Sequence, residues 1–240
     1  MIARIAVALA VCGALGGSVR AADSGTISGK VTLKGGKDAA APRKDLREQM
    51  KGKDPVCSNQ HPNPVGSELE VVGPAGEIRY VLVSIKNGLG DRKFATPTEA
   101  VELDQKGCMY RPHVFGMMVG QTLKIQNADG TSHNVNAKPE KNEGFNTPQP
   151  AAGEPITKTF KRPEIFPIKC DVHPWMSAWC GVFEHPFFAV TDKDGGFTIR
   201  DVPPGEYTLQ FWHEVYPPKE LKVTVKAGEP AKADVEMVSK

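Results

Sequence analysis

Along most of this chain apolar and polar residues alternate with a period of two, in short runs broken by glycine, proline and asparagine. That period sends side chains to opposite faces of an extended backbone, so each run predicts a half-buried β-strand. The first is GTISGKVTL, Gly25 to Leu33, in which Ile27, Val31 and Leu33 share one face. Further strands are predicted at Leu69 to Val72, at Arg79 to Asn87, through Val101 and Leu103, at Gln121 to Asn127, at Ile156 to Phe160 and at Ile165 to Cys170. From Phe187 onward the alternation resumes around turns at Asp194-Gly195 and Pro203-Pro204-Gly205. Between positions 35 and 66 the period lapses. A long loop is expected there, with a short helical stretch near Leu46 to Met50 and a pin at Cys57. The chain reads as all-β.

Twenty prolines and 24 glycines suit strands separated by tight turns. The net charge of +2 is spread without a basic stripe or an acidic tail, so nucleic acid is not an implied partner. Met1 to Ala22 combines Arg4, an apolar run from Ile5 to Gly17 and small residues at Val19 and Ala21, the pattern of a secretory signal peptide cut after Ala21. A lipoprotein site at Leu9 to Cys12 fits less well, because Val11 is bulky where that processing wants a small residue. No later segment approaches the roughly 20 apolar residues of a membrane span. The expected location is periplasmic or extracellular, where disulfides are the default use of cysteine. Cys57, Cys108, Cys170 and Cys180 then allow three pairings. If Cys170 is a metal ligand, Cys57 pairs with Cys108 and Cys180 stays free. If it is not, Cys170 bonded to Cys180 completes two disulfides.

The heptapeptide CDVHPWM, Cys170 to Met176, decides between these by what it carries: a thiol, an imidazole and a thioether in one short loop. A second imidazole, His133, lies at a strand end within DGTSHNV. Two imidazoles and one thiolate form a trigonal donor set, and Met176 can stand off as a weak axial ligand, the arrangement of a blue-copper electron-transfer site. Asn134 is placed to tie the two ligand segments together through its amide. His61 and His113 lack convergent partners in the sequence and read as structural, while His185 and His213 fall in the C-terminal segment, from which they can contact the metal-binding region from outside. Trp179 and Trp212 read as core aromatics, and Asp192 and Asp194 as turn residues.

At Cys170, His173, Pro174 and Met176 the chain resembles the cupredoxins, most closely the amicyanin-type ligand loop, and SHNV at Ser132 to Val135 looks like that family's first-ligand segment. DKDGGFTIRDVPPGEYTL, Asp192 to Leu209, resembles the carboxypeptidase regulatory-like or transthyretin-like β-sandwich, whose opening strand is similar to Gly25 to Leu33. These resemblances imply a Greek-key cupredoxin sandwich over residues 100–186, inserted in a second, small sandwich built from 22–99 and 187–240. They imply one type 1 copper held by His133, Cys170, His173 and Met176, and a one-electron carrier rather than an enzyme. The outer edge of His173 is expected at the surface, with Pro174 and Trp175 as an apolar rim for a transient redox partner. The competing expectation is a metal-free structural or ligand-binding sandwich of the cell envelope.

Overall fold

A computed structural model describes residues 24–41 and 43–239, so the expected signal peptide and Cys12 lie outside the described residues. The architecture is all-β, in four sheets that enclose two principal cores. In chain order the elements are β1 (Gly25–Leu33), α1 (Arg47–Lys53), α2 (Pro55–Asn59), β2 (Leu82–Asn87), β3 (Val101–Gln105), β4 (Tyr110–Arg111), β5 (Val114–Met118), β6 (Thr122–Asn127), β7 (His133–Ala137), β8 (Phe145–Gln149), β9 (Ile156–Thr159), β10 (Glu164–Lys169), β11 (Ser177–Phe183), β12 (Phe188–Val190), β13 (Gly196–Val202), β14 (Gly205–Trp212), β15 (Lys219–Val225), β16 (Pro230–Lys232) and β17 (Val235–Met237).

The central sandwich stacks a sheet ordered β4-β3-β6-β9 against one ordered β5-β11-β10-β7-β8. Strand β6 shows why it forms: Leu123 and Ile125 are buried while Thr122, Lys124 and Gln126 are only partly covered, so one face is apolar and the other wet. The buried face meets Phe160, Phe166, Ile168 and Val182 in one core. Strands β10 and β11 pair antiparallel up to Lys169 opposite Ser177, so the seven residues between them form a hairpin loop at one end of the sandwich.

The second sandwich is assembled from both ends of the described chain. Strand β1 pairs antiparallel with β13 and parallel with β16 and β17, and β2 lies between β12 and β14. Ile27 and Val31 are fully buried against Ile199, Leu209 and Phe211. Removing residues 24–34 takes out the strand on which β13, β16 and β17 all depend. Amide protection from Phe197 to Val235 is therefore expected to collapse in that truncation, measured by hydrogen exchange. Native protection there would mean the remaining strands hold without it.

Three sequence expectations need correction. The 22–99 segment does not belong wholly to the second sandwich: Leu46, Met50 and Cys57 are buried in the central core, and Val65 packs against it. Leu69 to Val72 is not a strand, since Leu69 is 51% exposed and only Val72 makes an isolated bridge, to Ile78. The helical stretch starts later and is longer than expected, and a second helix follows it. Asp54 caps α2 by accepting from the Val56 N–H at 2.9 Å, and Pro55 sits at the first helical position, where its missing N–H costs nothing.

The two sandwiches meet at a third apolar cluster around Tyr80, Leu82 and Val114, with Trp179 and Trp212 in ring contact at 4.9 Å. Polar groups are paired across this junction. Glu214 accepts from Trp179 Nε1 at 2.7 Å and faces His113 Nε2, while His113 Nδ1 donates to the Ser177 carbonyl at 2.9 Å. His213 beside them is different: burial holds its pKa down to about 4, against the opposing pull of Glu214 and Glu70, with the charge of His113 adding to the depression. The unfolded chain takes up that proton first, so stability present above pH 6.5 drains away as the pH falls towards 4. The loss is on the order of 3 kcal/mol. Denaturant unfolding at pH 7 and pH 4 should show His213→Phe losing less stability than the parent protein. Equal losses would place the acid sensitivity elsewhere.

Candidate metal centre

Two loops carry the donors. His133 opens β7 after a turn fixed by Asn127, whose Oδ1 accepts the Asp129 N–H at 3.0 Å and whose Nδ2 donates to the Thr131 carbonyl at 2.9 Å. The hairpin loop closes on itself: Cys170 N–H donates to the Met176 carbonyl at 3.2 Å, and Met176 N–H to the His173 carbonyl at 2.9 Å. That fold sends Asp171, Val172 and Pro174 outward, and Cys170, His173, Trp175 and Met176 inward. Asn134 joins the loops, because its Oδ1 accepts the backbone N–H of Asp171 at 2.7 Å and of Val172 at 3.3 Å. Its Nδ2 donates to Asn146 at 2.7 Å, so both ends of the amide are satisfied.

The consequence is convergence. One donor atom from each of His133, Cys170 and His173 lies within 4.8 Å of the other two, and all three residues are buried. The imidazoles face each other through Nδ1, 2.9 Å apart, and Cys170 Sγ lies 3.9 Å from His173 Nδ1. Two nitrogens and a sulfur bound to one ion at about 2.0 and 2.3 Å would stand about 3 to 4 Å from one another, so the donors already have nearly that spacing. Burial pushes the Cys170 thiol up, but hydrogen bonds from the two imidazoles outweigh it and hold the group at about 6. His133 moves the other way, to about 9, because Asp129 and Cys170 overcome the burial that would lower it. Without metal the pocket thus favours a thiolate beside a protonated His133, and an ion that binds there takes the place of the proton shared between them. Met176 is 1% exposed at the end of the same loop.

Two residues that the sequence analysis does not single out complete the surroundings. Asp129 has no exposed side-chain surface. It accepts from His133 Nε2 at 2.9 Å and from the Gly107 and Cys108 backbone N–H groups at 2.7 Å each. Asp54 accepts from His173 Nε2 at 3.2 Å and from Thr131 Oγ1 at 2.7 Å. Asp129 stands four residues before His133 and could have been noticed on that spacing. Asp54 is 119 residues from His173, and only the tertiary fold brings them together.

The expectation about the surface around His173 is overturned. His173 is 1% exposed, because the turn that starts α2 covers its outer edge with Asp54. Trp175 does not form a rim: it is 9% exposed, and its Nε1 donates to the Cys108 carbonyl at 2.9 Å. Pro174 is exposed, next to Val172 at 44%. Cys57 and Cys108 form a disulfide with Cα atoms 5.4 Å apart, while Cys170 and Cys180 are free and buried. Burial raises the Cys180 thiol far above its ordinary range, so that group is inert packing.

Other sequence candidates have ordinary partners. His61 pairs with the Gly107 carbonyl at 2.7 Å and His185 with that of Ile85 at 2.9 Å. Asp192 closes its turn by accepting from the Asp194 and Gly196 backbones. Among the described residues, the other converging donor groups are Asp54, Cys57, His173 and Cys108, Asp129, His133, which share the same histidines and whose sulfurs are tied up in the disulfide.

The carboxypeptidase regulatory-like domain matches residues 184–238, which hold β12 to β17. Strands β1 and β2 lie outside the matched segment and inside the same sheets. No curated protein matches the chain. Among solved structures, it is similar to a copper-containing nitrite reductase from Thermus scotoductus SA-01, at 24% identity and a TM-score of 0.34, over 39% of this chain and 26% of that one. It is also similar to a purple cupredoxin from Nitrosopumilus maritimus, at 20% identity and a TM-score of 0.30, over 34% of this chain and 98% of that one. A Cu(I) amicyanin variant is 18% identical, with a TM-score of 0.32, over 42% of this chain and 97% of that one.

Proposed function

We propose that this chain is an exported type 1 copper protein that carries single electrons, with the metal held by His133, His173 and Cys170 and Met176 as its weak axial ligand. The observation that carries the reading is the buried convergence of two Nδ1 atoms with one thiol sulfur. Copper bound there supplies a one-electron couple. The protein supplies a rigid cage. Asn134 fixes the position of the loop, the loop fixes Cys170 and His173, and the central core keeps water out. Donors held near their bound spacing move little when the charge of the ion changes, which is what rapid electron exchange needs. Full burial of the three donors leaves no open position for a substrate, and this favours a carrier over an enzyme.

Export is supported by the buried Cys57–Cys108 disulfide, a bond that persists in oxidising compartments. A transient redox partner would meet the exposed Val172 and Pro174 rather than Trp175. The test is copper loading of the exported protein followed by visible and electron paramagnetic resonance spectroscopy. One equivalent bound, with an intense thiolate-to-copper band and a narrow copper hyperfine splitting, is the expected result. Binding without that band would exclude a type 1 site, and failure to bind would favour the metal-free sandwich.

A further inference from the structure

Both imidazoles of the site are gripped from behind. Each directs Nδ1 inward, and each donates its outer Nε2–H to a different carboxylate: His133 to Asp129 at 2.9 Å, His173 to Asp54 at 3.2 Å. The two carboxylates come from separate elements and are themselves fixed. Asp129 is locked by two backbone N–H groups on the turn that carries Cys108, and Asp54 by its capping bond to Val56 and by Thr131. The disulfide joins these two elements, since Cys57 lies in α2 just after Asp54 and Cys108 lies in the turn that holds Asp129.

We propose that Asp54 and Asp129 are positioning residues that set the balance between the oxidised and reduced metal, an inference that rests on the copper reading above. A carboxylate that accepts from the outer nitrogen of a ligating imidazole fixes its tautomer and its ring orientation and makes the inner nitrogen a stronger donor. Stronger donation and nearby negative charge both favour the more highly charged ion. The pair therefore lowers the reduction potential relative to a site whose imidazoles face neutral acceptors or water. Asp129 contributes more, because its side chain is wholly buried while that of Asp54 is 17% exposed and partly screened by solvent.

Asparagine is the discriminating replacement. It keeps a neutral acceptor for Nε2–H, and at Asp54 it caps a helix about as well as aspartate. A purely structural role would therefore leave the redox balance of Asp54→Asn unmoved. The expected result is a fall in the ratio of oxidised to reduced copper affinity of about threefold in Asp54→Asn and about tenfold in Asp129→Asn, the latter an upward shift of about 59 mV for one electron. The blue band should remain in both. Should Asp129→Asn fail to fold, Asp54→Asn decides the matter, and an unchanged potential in that variant overturns the proposal. The metal-free protein gives an independent reading by nitrogen-15 NMR of the histidine rings. Slowly exchanging Nε2–H protons on both His133 and His173, with faster exchange on His173 alone in Asp54→Ala, support the clamp. A bare Nε2 on His173 overturns it. If the parent protein binds no copper, the functional reading fails and the ring protons alone decide whether the clamp exists.

Discussion

Copper-loaded Cys170→Ser protein is expected to be colourless. The visible band of a type 1 site arises from electron transfer out of a thiolate, and among the described residues Cys170 is the one cysteine whose sulfur groups with both histidines. Serine is nearly the same size, and in this pocket its hydroxyl has acceptors at hand: Asn134 Oδ1 lies 3.4 Å from the present Sγ, and His173 Nδ1 lies 3.9 Å away. The replaced side chain can make a hydrogen bond, so the cost to folding should stay within about 1 kcal/mol. Loss of colour with retained folding would assign the band to Cys170. The measurement is the visible spectrum at fixed copper stoichiometry, with amide protection of β10 and β11 as the control for structure. A blue variant would mean that some other sulfur supplies the charge transfer, and the site as described here would be wrong.

Much of this centre was legible in the order of residues. The loop from Cys170 to Met176 declares its chemistry through side-chain type and spacing. His133 announces itself at the start of a strand, and Asn134 follows in a place where its amide can bridge the two segments, as its bonds to Asp171 and Val172 do. What was illegible is whatever depends on distant packing. Residues 43–66 have no strong period, so nothing in their pattern reveals that Leu46 and Met50 are buried in the core of the central sandwich rather than in the terminal one. The burial of His173 follows from that placement, because the turn at Asp54 is what lies over its ring. Trp175 was ambiguous for a different reason. An indole has an apolar body and one donor, and it suits an exposed rim or a buried hydrogen bond equally well until the partner, here the Cys108 carbonyl, is known.

The second large effect should come from removing the Cys57–Cys108 bond. Replacing both residues by alanine opens a loop of 51 residues, and chain-entropy arguments put the lost stabilisation at about 4 kcal/mol. The loss should be local in the first instance. Helices α1 and α2 have seven and five residues, too few to persist on their own, and beyond the disulfide they are held by Leu46, Met50, the Asp54 cap and the bond from Thr131. Hydrogen exchange should therefore quicken from Arg47 to Asn59 before it does in β10 or β11, while strands β13 to β15 of the terminal sandwich keep their protection. The ligands themselves sit on other elements, so the copper band should survive. With the turn at Asp54 loosened, His173 becomes reachable, and quenching of the blue chromophore by small solutes should rise from the parent level. Unchanged exchange over residues 47–59 would show that packing alone holds the cap in place. Loss of the copper band in a folded variant would show instead that the cap is part of what assembles the donors.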